Sequence, residues 1–392
     1  MFTCHARRSR FVMWHNRKYK KLILFWVVGL FSLQPYLYAL PDVLLSLDLE
    51  NQKLVESSCL EYWGENWENE FEVSALSGGL SGAGVFRFKG KEQDCVLRVS
   101  PDYLTEQECI DAAKAMEAVA KLNSAPNVCF LSPGARLMIM EFFKGSTLHP
   151  YDFKDETMLT RVARTMASVH SAKAEIGSSA FDMWLSGIDW FEKAKQENRL
   201  KIPAFIEAYD QWKEVTDLLN KFPLEKGVCH GDPNSLNILY TDLEMKLIDW
   251  DFAYSGILLK ELAFVCNFYD FSPEQESMFL SVYLGREMNA TERSLLYMCR
   301  VVGYLELAMH SLQWLDDTGS TNISFDLWNE YYDIIDSSFF YELVVAHAEK
   351  RLEINEEWSR NYSLTSFKKF MERINSDTFR SHWDYLNTHL PQ

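Results

Sequence analysis

Alternating and helical patterns of apolar residues divide the chain into a strand-rich first part and a helix-rich second part. Residues 94–100, Asp-Cys-Val-Leu-Arg-Val-Ser, alternate and predict a strand with Arg98 as its inner polar residue. Residues 105–122 show helical spacing, and Thr105 with Glu108 can form a capping box. Further helical patterns cover residues 43–70, 159–170, 181–222 and 291–315.

A glycine-rich loop between two short strands occupies residues 71–88. Glycines let a backbone approach a ligand closely, and their free amides can meet phosphate oxygens. No Gly-Lys-Ser/Thr follows, so the loop is not a Walker A motif. The candidate ligand-binding residues of this loop are Gly78, Gly79, Ser81, Gly82 and Gly84.

Residues 228–253 contain polar side chains at positions where a purely structural segment would be apolar. His230, Asp232 and Asn237 lie between Val228 and Ile238-Leu239-Tyr240, and Asp249 interrupts a second apolar strand. Two short strands can bring these carboxylates and the amide to one hairpin edge. Oxygen ligands of this kind hold Mg²⁺, and a free Asp can orient a hydroxyl group, so the set suits a magnesium-nucleotide site. The alternative is a plain hairpin with turn-forming Asp, Pro and Asn.

The pattern His-x-Asp-x-x-x-x-Asn followed by Ile-Asp-x-Asp resembles the phosphotransferases related to aminoglycoside kinases and choline kinases. This resemblance implies Asp232 as the catalytic base and Asn237 and Asp249 as Mg²⁺ ligands, with Asp251 ranked after Asp249. It also implies an α+β, bilobal protein-kinase-like fold, with a small β-rich N-lobe over residues 43–144 and a larger, mostly helical C-lobe over residues 145–392.

The same resemblance implies that ATP lies between the lobes. Its phosphates would lie under the glycine loop and near Arg98, with Glu117 as the candidate partner of Arg98. Adenine would pair with the backbone near Glu141, Phe142 and Phe143. Two alternatives stay open, because Arg98 can face water on an edge strand and Glu117 can lie on a solvated helix face.

The acceptor is expected to be a small amino alcohol, choline or ethanolamine first. Arg98 and the pattern of residues 260–285 resemble the choline-kinase branch. Aromatic rings bind a quaternary ammonium through their quadrupoles, although core packing is the more frequent use of such residues. The candidate acceptor-binding residues are Asn234, Phe252, Tyr254, Tyr269, Phe271 and Trp314. His170 is expected to be structural and to hydrogen-bond the hairpin.

Two rival functions remain from the sequence. Within the same class, the acceptor is an aminoglycoside or thiamine. In a different class, the chain is a non-catalytic, kinase-like protein that serves in binding or as a membrane-tethered protein. The complete set of Asp232, Asn237 and Asp249 opposes the second rival, because a site without activity has no need of all three.

Composition excludes some partners and limits the location. The net charge of −17 argues against nucleic acid, whose phosphates need clustered Lys and Arg. The eight cysteines are scattered without a C-x-x-C pair, which favours buried, reduced thiols and a cytoplasmic catalytic body.

The first 42 residues form a basic and hydrophobic leader. Residues 1–21 carry seven basic and no acidic residues, and residues 22–41 carry no charge. This pattern is typical of a signal peptide or membrane anchor, and the other explanation is a start site assigned too far upstream. Membrane contact is therefore expected only through residues 22–41.

Overall fold

A five-stranded antiparallel sheet forms the N-lobe. The computed structural model describes residues 40–76, 82–177, 183–197, 203–317, 332, 335–349 and 355–391. The strands follow the spatial order β1-β2-β3-β5-β4, and helix α3 (Glu106–Ala120) connects β3 to β4. The strands are β1 Glu72–Ala75, β2 Gly84–Lys89, β3 Asp94–Val99, β4 Val128–Leu131 and β5 Leu137–Glu141.

The alternation in β3 assigns its side chains to two different environments. Cys95, Leu97 and Val99 are buried on the outer face of the sheet. Helices α1 (Leu49–Trp63) and α2 (Trp67–Glu70) cover this face and bury Val55, Cys59 and Trp67 against it. Because successive side chains of a strand point to opposite faces, Val96 and Arg98 face the interlobe cleft, where both line a cavity.

Helix α3 begins with the capping box that the sequence predicts. The Glu108 amide donates to Thr105 Oγ1 at 3.3 Å, and the Thr105 amide donates to Glu108 Oε2 at 2.7 Å. One side of the helix, including Ala112, Ala115 and Met116, is buried.

The C-lobe is mostly helical, and the long helix α9 packs against α5, α6, α7, α11 and α12. The expected predominance of sheet in the first lobe and helix in the second is confirmed. The helices are α4 Glu156–Ser171, α5 Met183–Gln196, α6 Pro203–Leu219, α7 Leu258–Phe268, α8 Pro273–Leu284, α9 Ala290–Asp317, α10 Phe339–Ala348, α11 Glu356–Ile374 and α12 Asp377–Thr388. The strands are β6 Ser146–Thr147, β7 Lys226–Cys229, β8 Ile238–Tyr240, β9 Met245–Leu247 and β10 Tyr254–Ile257.

The lobes are joined through the α3–β4 loop as well as through the linker after β5. The Leu247 amide of β9 donates to Ser124 O at 2.8 Å. Asn123 Nδ2 donates to Glu244 Oε1 at 2.9 Å. These contacts hold the β8–β9 hairpin close to β5 and to the linker that follows it.

A second interlobe contact starts from helix α3. The buried Asp111 accepts a hydrogen bond from the Gly177 amide at 3.0 Å, and Gly177 O accepts one from the Ser255 amide at 3.0 Å. The helix is thereby connected to β10 beside the hairpin.

The leader residues 1–39 lie outside the described part of the chain. In the part that is described, no helix combines the length and the apolar character needed to cross a bilayer. The membrane contact, the cytoplasmic location and the domain boundaries at 42 and 144 stay predictions. Of the seven described cysteines, six are buried and Cys129 is exposed, and all seven are free thiols.

Candidate active site

Two antiparallel strand pairs hold the polar loop of residues 230–237. Strand β7 pairs with β10, and β8 pairs with β9, so the loop between β7 and β8 lies beside residues 248–253. Gly231 in this loop has φ +85°, and a Cβ there would lie 2.1 Å from Phe252 O. Only glycine tolerates both this backbone conformation and this close approach.

Asp232 and Asn237 lie in direct contact. Asn237 Nδ2 donates to Asp232 Oδ2 at 3.1 Å and to its backbone carbonyl at 3.0 Å. Asn234 Nδ2 donates to the same carboxylate oxygen at 2.8 Å. Burial raises the pKa of Asp232 to about 6, and the two amides oppose this shift. The predicted acceptor contact of Asn234 therefore competes with a bond that it already makes to Asp232.

Arg98 bridges the two carboxylates of the Asp-x-Asp segment. Its Nη2 lies 3.2 Å from Asp249 Oδ1 and also contacts Asp251 Oδ2. The guanidinium donates in addition to Ser100 Oγ at 3.3 Å. Burial raises the pKa of Asp251, and the positive charge of Arg98 opposes that rise.

The predicted pair between Arg98 and Glu117 is wrong. Glu117 lies on the exposed side of α3, whereas Arg98 is turned across the cleft to the two aspartates. The helical spacing around residue 117 is compatible with either side of the helix, and tertiary packing turned Met116 inward.

Asp249 has φ +62°, a conformation that is uncommon for a residue with a side chain. Such strain persists only where the surrounding structure imposes it, and it is concentrated at functional sites. The backbone therefore independently marks Asp249, which the sequence motif also singles out.

His230 is hydrogen-bonded to the backbone of the site through both of its ring nitrogens. Its Nε2 donates to Ile248 O at 2.9 Å, and its Nδ1 accepts from the Asp232 amide at 3.3 Å. Burial lowers the pKa of His230, so the ring is held neutral. The neutral ring links the residue before Asp249 to the backbone of Asp232.

His170 acts on the hairpin through an intermediate residue. Its Nε2 lies 2.6 Å from Glu261 Oε2, and Glu261 Oε1 accepts from the Gly231 amide at 2.7 Å. Tyr283 Oη lies 2.8 Å from His170 Nδ1. These groups form a chain from Tyr283 through His170 and Glu261 to Gly231, so His170 reaches the hairpin through Glu261, which the sequence did not single out.

A cavity of about 340 Å³ lies between the lobes and brings four of the predicted nucleotide residues together with the three predicted metal ligands. Its apolar walls include Val85, Val96, Met140 and Leu239. The site residues that line it are Arg98, Glu141, Phe142, Phe143, Asn237, Asp249 and Asp251.

The glycine loop is described only at its end. Gly82 has φ +73°, and Gly84 begins β2. The predicted contacts of Gly78, Gly79 and Ser81 lie outside the described residues.

Most of the predicted acceptor aromatics lie in the core. Tyr254, Tyr269 and Phe271 are 6%, 3% and 3% exposed, and Tyr254 packs with Cys229 and Leu258. The structure therefore favours the packing alternative for these three rings. Phe252 is half-buried beside Gly231, and the side chain of Trp314 lies outside the described residues.

Another aromatic group lies on α10 and α11, and the sequence did not single it out as part of a site. Burial and then the charge of Asp232 raise the pKa of Tyr362 on α11. Its ring stacks on Trp358 at 4.7 Å and lies 5.0 Å from Phe340 of α10. Helical patterns in residues 320–392 indicate helices, but they carry no signal that relates α11 to Asp232.

The fold and the carboxylate-amide cleft define a kinase-like phosphotransferase. The model of the phosphotransferase enzyme family known as APH matches residues 72–295, which is more than half of the chain. The chain therefore belongs to this family and is a small-molecule kinase. No curated protein matches it by sequence.

Solved structures share the fold at low sequence identity. A choline/ethanolamine kinase family protein from Mesorhizobium loti has a TM-score of 0.64 at 18% identity, covering 87% of this chain and 100% of that chain. Plasmodium vivax ethanolamine kinase has a TM-score of 0.57 at 16% identity, covering 86% and 91%. The gentamicin complex of APH(2″)-IIa has a TM-score of 0.51 at 15% identity, covering 71% and 94%. These likenesses support the predicted kinase-like, α+β fold.

Proposed function

We propose that the chain transfers the γ-phosphate of ATP to the hydroxyl group of a small amino alcohol, with choline or ethanolamine as the first candidate. The observation that carries this proposal is that Arg98, Asn237 and Asp249 line the interlobe cavity together, with Asp232 hydrogen-bonded to Asn237. Phosphoryl transfer depends mainly on positioning and charge stabilisation, which such a set provides.

Asp232 is the proposed catalytic base. Its carboxylate would accept the proton of the acceptor hydroxyl, while Asn234 and Asn237 fix the orientation of the carboxylate. A raised pKa makes this carboxylate a stronger base than an exposed aspartate. Glu261 and His230 accept hydrogen bonds from the amides of Gly231 and Asp232, so the backbone of the base is fixed before the acceptor arrives.

The oxygen donors of this site fit Mg²⁺. Asn237 points its Nδ2 at Asp232, which leaves its side-chain oxygen for a cation, and Asp249 provides a carboxylate in the same cavity. Asp251 ranks after Asp249 because its side chain is 4% exposed and makes the closer contact with Arg98, whereas the Asp249 side chain is 31% exposed. Bound Mg²⁺ would neutralise phosphate charge during transfer.

The nucleotide would occupy the cavity with its base beside the linker. The Glu141 and Phe142 amides already donate to Asn127 O and Asp94 O, each at 2.9 Å. We therefore propose that adenine pairs with the Glu141 carbonyl and the Phe143 amide. Arg98 would contact the phosphates, since a guanidinium forks onto phosphate oxygens.

The proposed ring for the acceptor cation is Phe252, which is half-buried and whose backbone lies against Gly231, the residue before Asp232. Aromatic faces and the acidic protein surface both favour a cationic amino alcohol. Two of the similar solved structures, named as a choline/ethanolamine kinase family protein and an ethanolamine kinase, support the same class of acceptor.

The test is turnover by the purified chain with Mg-ATP and a panel of choline, ethanolamine, thiamine and an aminoglycoside, measured as ADP release. We expect acceptor-dependent ADP release with choline or ethanolamine. Turnover of thiamine or the aminoglycoside alone would contradict the proposed acceptor and support the proposed phosphoryl transfer. Omission of Mg²⁺ should abolish turnover, and undiminished activity in a chelator would contradict the metal site.

A further inference from the structure

A buried lysine from the C-lobe reaches the linker between the lobes. Lys246 on β9 is 2% exposed, and its Nζ lies 3.4 Å from Glu141 Oε2 at the end of β5. Lysine is almost never buried unless its charge is paired. The buried ammonium group of Lys246 is therefore paired with the Glu141 carboxylate.

The same carboxylate oxygen collects donors from two lobes. Glu141 Oε2 accepts from Asn127 Nδ2 at 3.0 Å and from the Asn127 amide at 3.3 Å. Asn127 precedes β4 in the N-lobe, whereas Lys246 belongs to the C-lobe. One oxygen thus connects β4, β5 and β9 at the start of the linker.

Lys246 also contacts Phe143, at the other end of the segment formed by residues 141–143. Its Nζ lies 5.0 Å from the centre of the Phe143 ring, within the range of a cation–π contact. Between Glu141 and Phe143, the ring of Phe142 lies 3.8 Å from the Arg87 guanidinium, which pairs with Asp94. The side chains of residues 141–143 are therefore each held by a cation.

We propose that Lys246 is a positioning residue for the nucleotide base, because it fixes Glu141 and Phe143 and so presents the linker backbone between them in one conformation. This inference rests on the proposed binding of ATP. Glu141, Phe142 and Phe143 line the cavity, and Lys246 lies behind them. Without the ammonium, the Glu141 side chain, which is 39% exposed, can turn to water and release the segment.

The test compares Lys246→Met with wild type, since methionine keeps the length and removes the charge. We expect the KM and Kd for ATP to rise about tenfold, the loss that one charge-assisted contact gives. The value of kcat should change little, and the affinity for Mg-tripolyphosphate, which lacks the base, should stay at the wild-type value. Lys246→Arg should restore part of the ATP affinity. Lys121→Met, at an exposed lysine after α3, is the matched control and should match wild type.

Three outcomes separate the possible failures. Unchanged ATP affinity in Lys246→Met would overturn this inference and leave the proposed function standing. Equal losses for ATP and tripolyphosphate would overturn it too, because they would indicate a general structural effect. Failure of the wild type to bind ATP would instead overturn the proposed function. If Lys246→Met does not fold, Glu141→Gln replaces it, with the same expected difference between ATP and tripolyphosphate.

Discussion

The sequence predicts that both the loop of residues 230–237 and the aromatic residues 254–271 belong to the site, yet the two regions have different surroundings in the structure. Asp232 and Asn237 are in contact beside the interlobe cavity. Tyr269 and Phe271 fill the core, where Phe271 packs against Phe153 at 5.1 Å and Phe279 at 5.5 Å. A motif of polar residues located the site, and a set of aromatic residues did not.

The difference lies in the cost of burial. A carboxylate or an amide placed among apolar residues loses its hydration and requires specific partners, so its presence there indicates a built site. An aromatic ring is stabilised by burial anywhere, so its presence in an apolar segment carries little information on function. The predictions below test this contrast, starting with the largest expected effect.

Replacing the half-buried carboxylate of Asp232 should abolish most of the activity. Asp232→Asn removes the proposed base and keeps the size of the side chain, so kcat should fall about a thousandfold, within the usual range for a general base. Nucleotide binding, measured by calorimetry, should be retained. Asp242→Asn, at an exposed carboxylate after β8, is the control and should be fully active. Full activity of Asp232→Asn would contradict the assignment of the base.

Replacing a core aromatic should affect stability and leave the acceptor site intact. Phe271→Ala should lower the free energy of unfolding by about 3 kcal/mol, because a large buried side chain is lost and a cavity remains. The KM for the acceptor, measured on folded protein, should stay the same. Phe339→Ala, at a ring that is 39% exposed, should cost far less. An unchanged stability with a raised acceptor KM would return Phe271 to the acceptor site.

The smallest effect concerns His347 on α10, whose ring lies beside Trp358 of α11. Burial lowers the pKa of His347, whose ring lies 5.9 Å from Trp358. A lowered pKa favours the neutral form in the folded state, so the stability from His347 is present above its ordinary pKa and is lost as the pH falls below it. In thermal unfolding between about pH 7.5 and about pH 5.5, His347→Phe should therefore lose less stability than wild type. An equal loss in both proteins would show that His347 does not contribute.

Several elements followed directly from local rules. The capping box at Thr105 depends on side chains three residues apart, and the alternation of β3 placed Arg98 on the cleft face. The spacing of Asp232, Asn237 and Asp249 depends on one hairpin. Each of these features is decided within a few residues, so the sequence contains the information.

Tertiary structure alone decided the partners that come from distant segments. Arg98 could meet Glu117 or the aspartates by local criteria, and the docking of the lobes placed it at Asp249 and Asp251, about 150 positions later. Glu261 and Lys246 reach Gly231 and Glu141 through the packing of separate helices and strands. Sequence patterns report which side of an element is buried, but they do not report what lies against it. The sequence therefore determined the reaction-type motif and the elements, whereas the folded chain decided which charges pair and which aromatic rings are buried in the core.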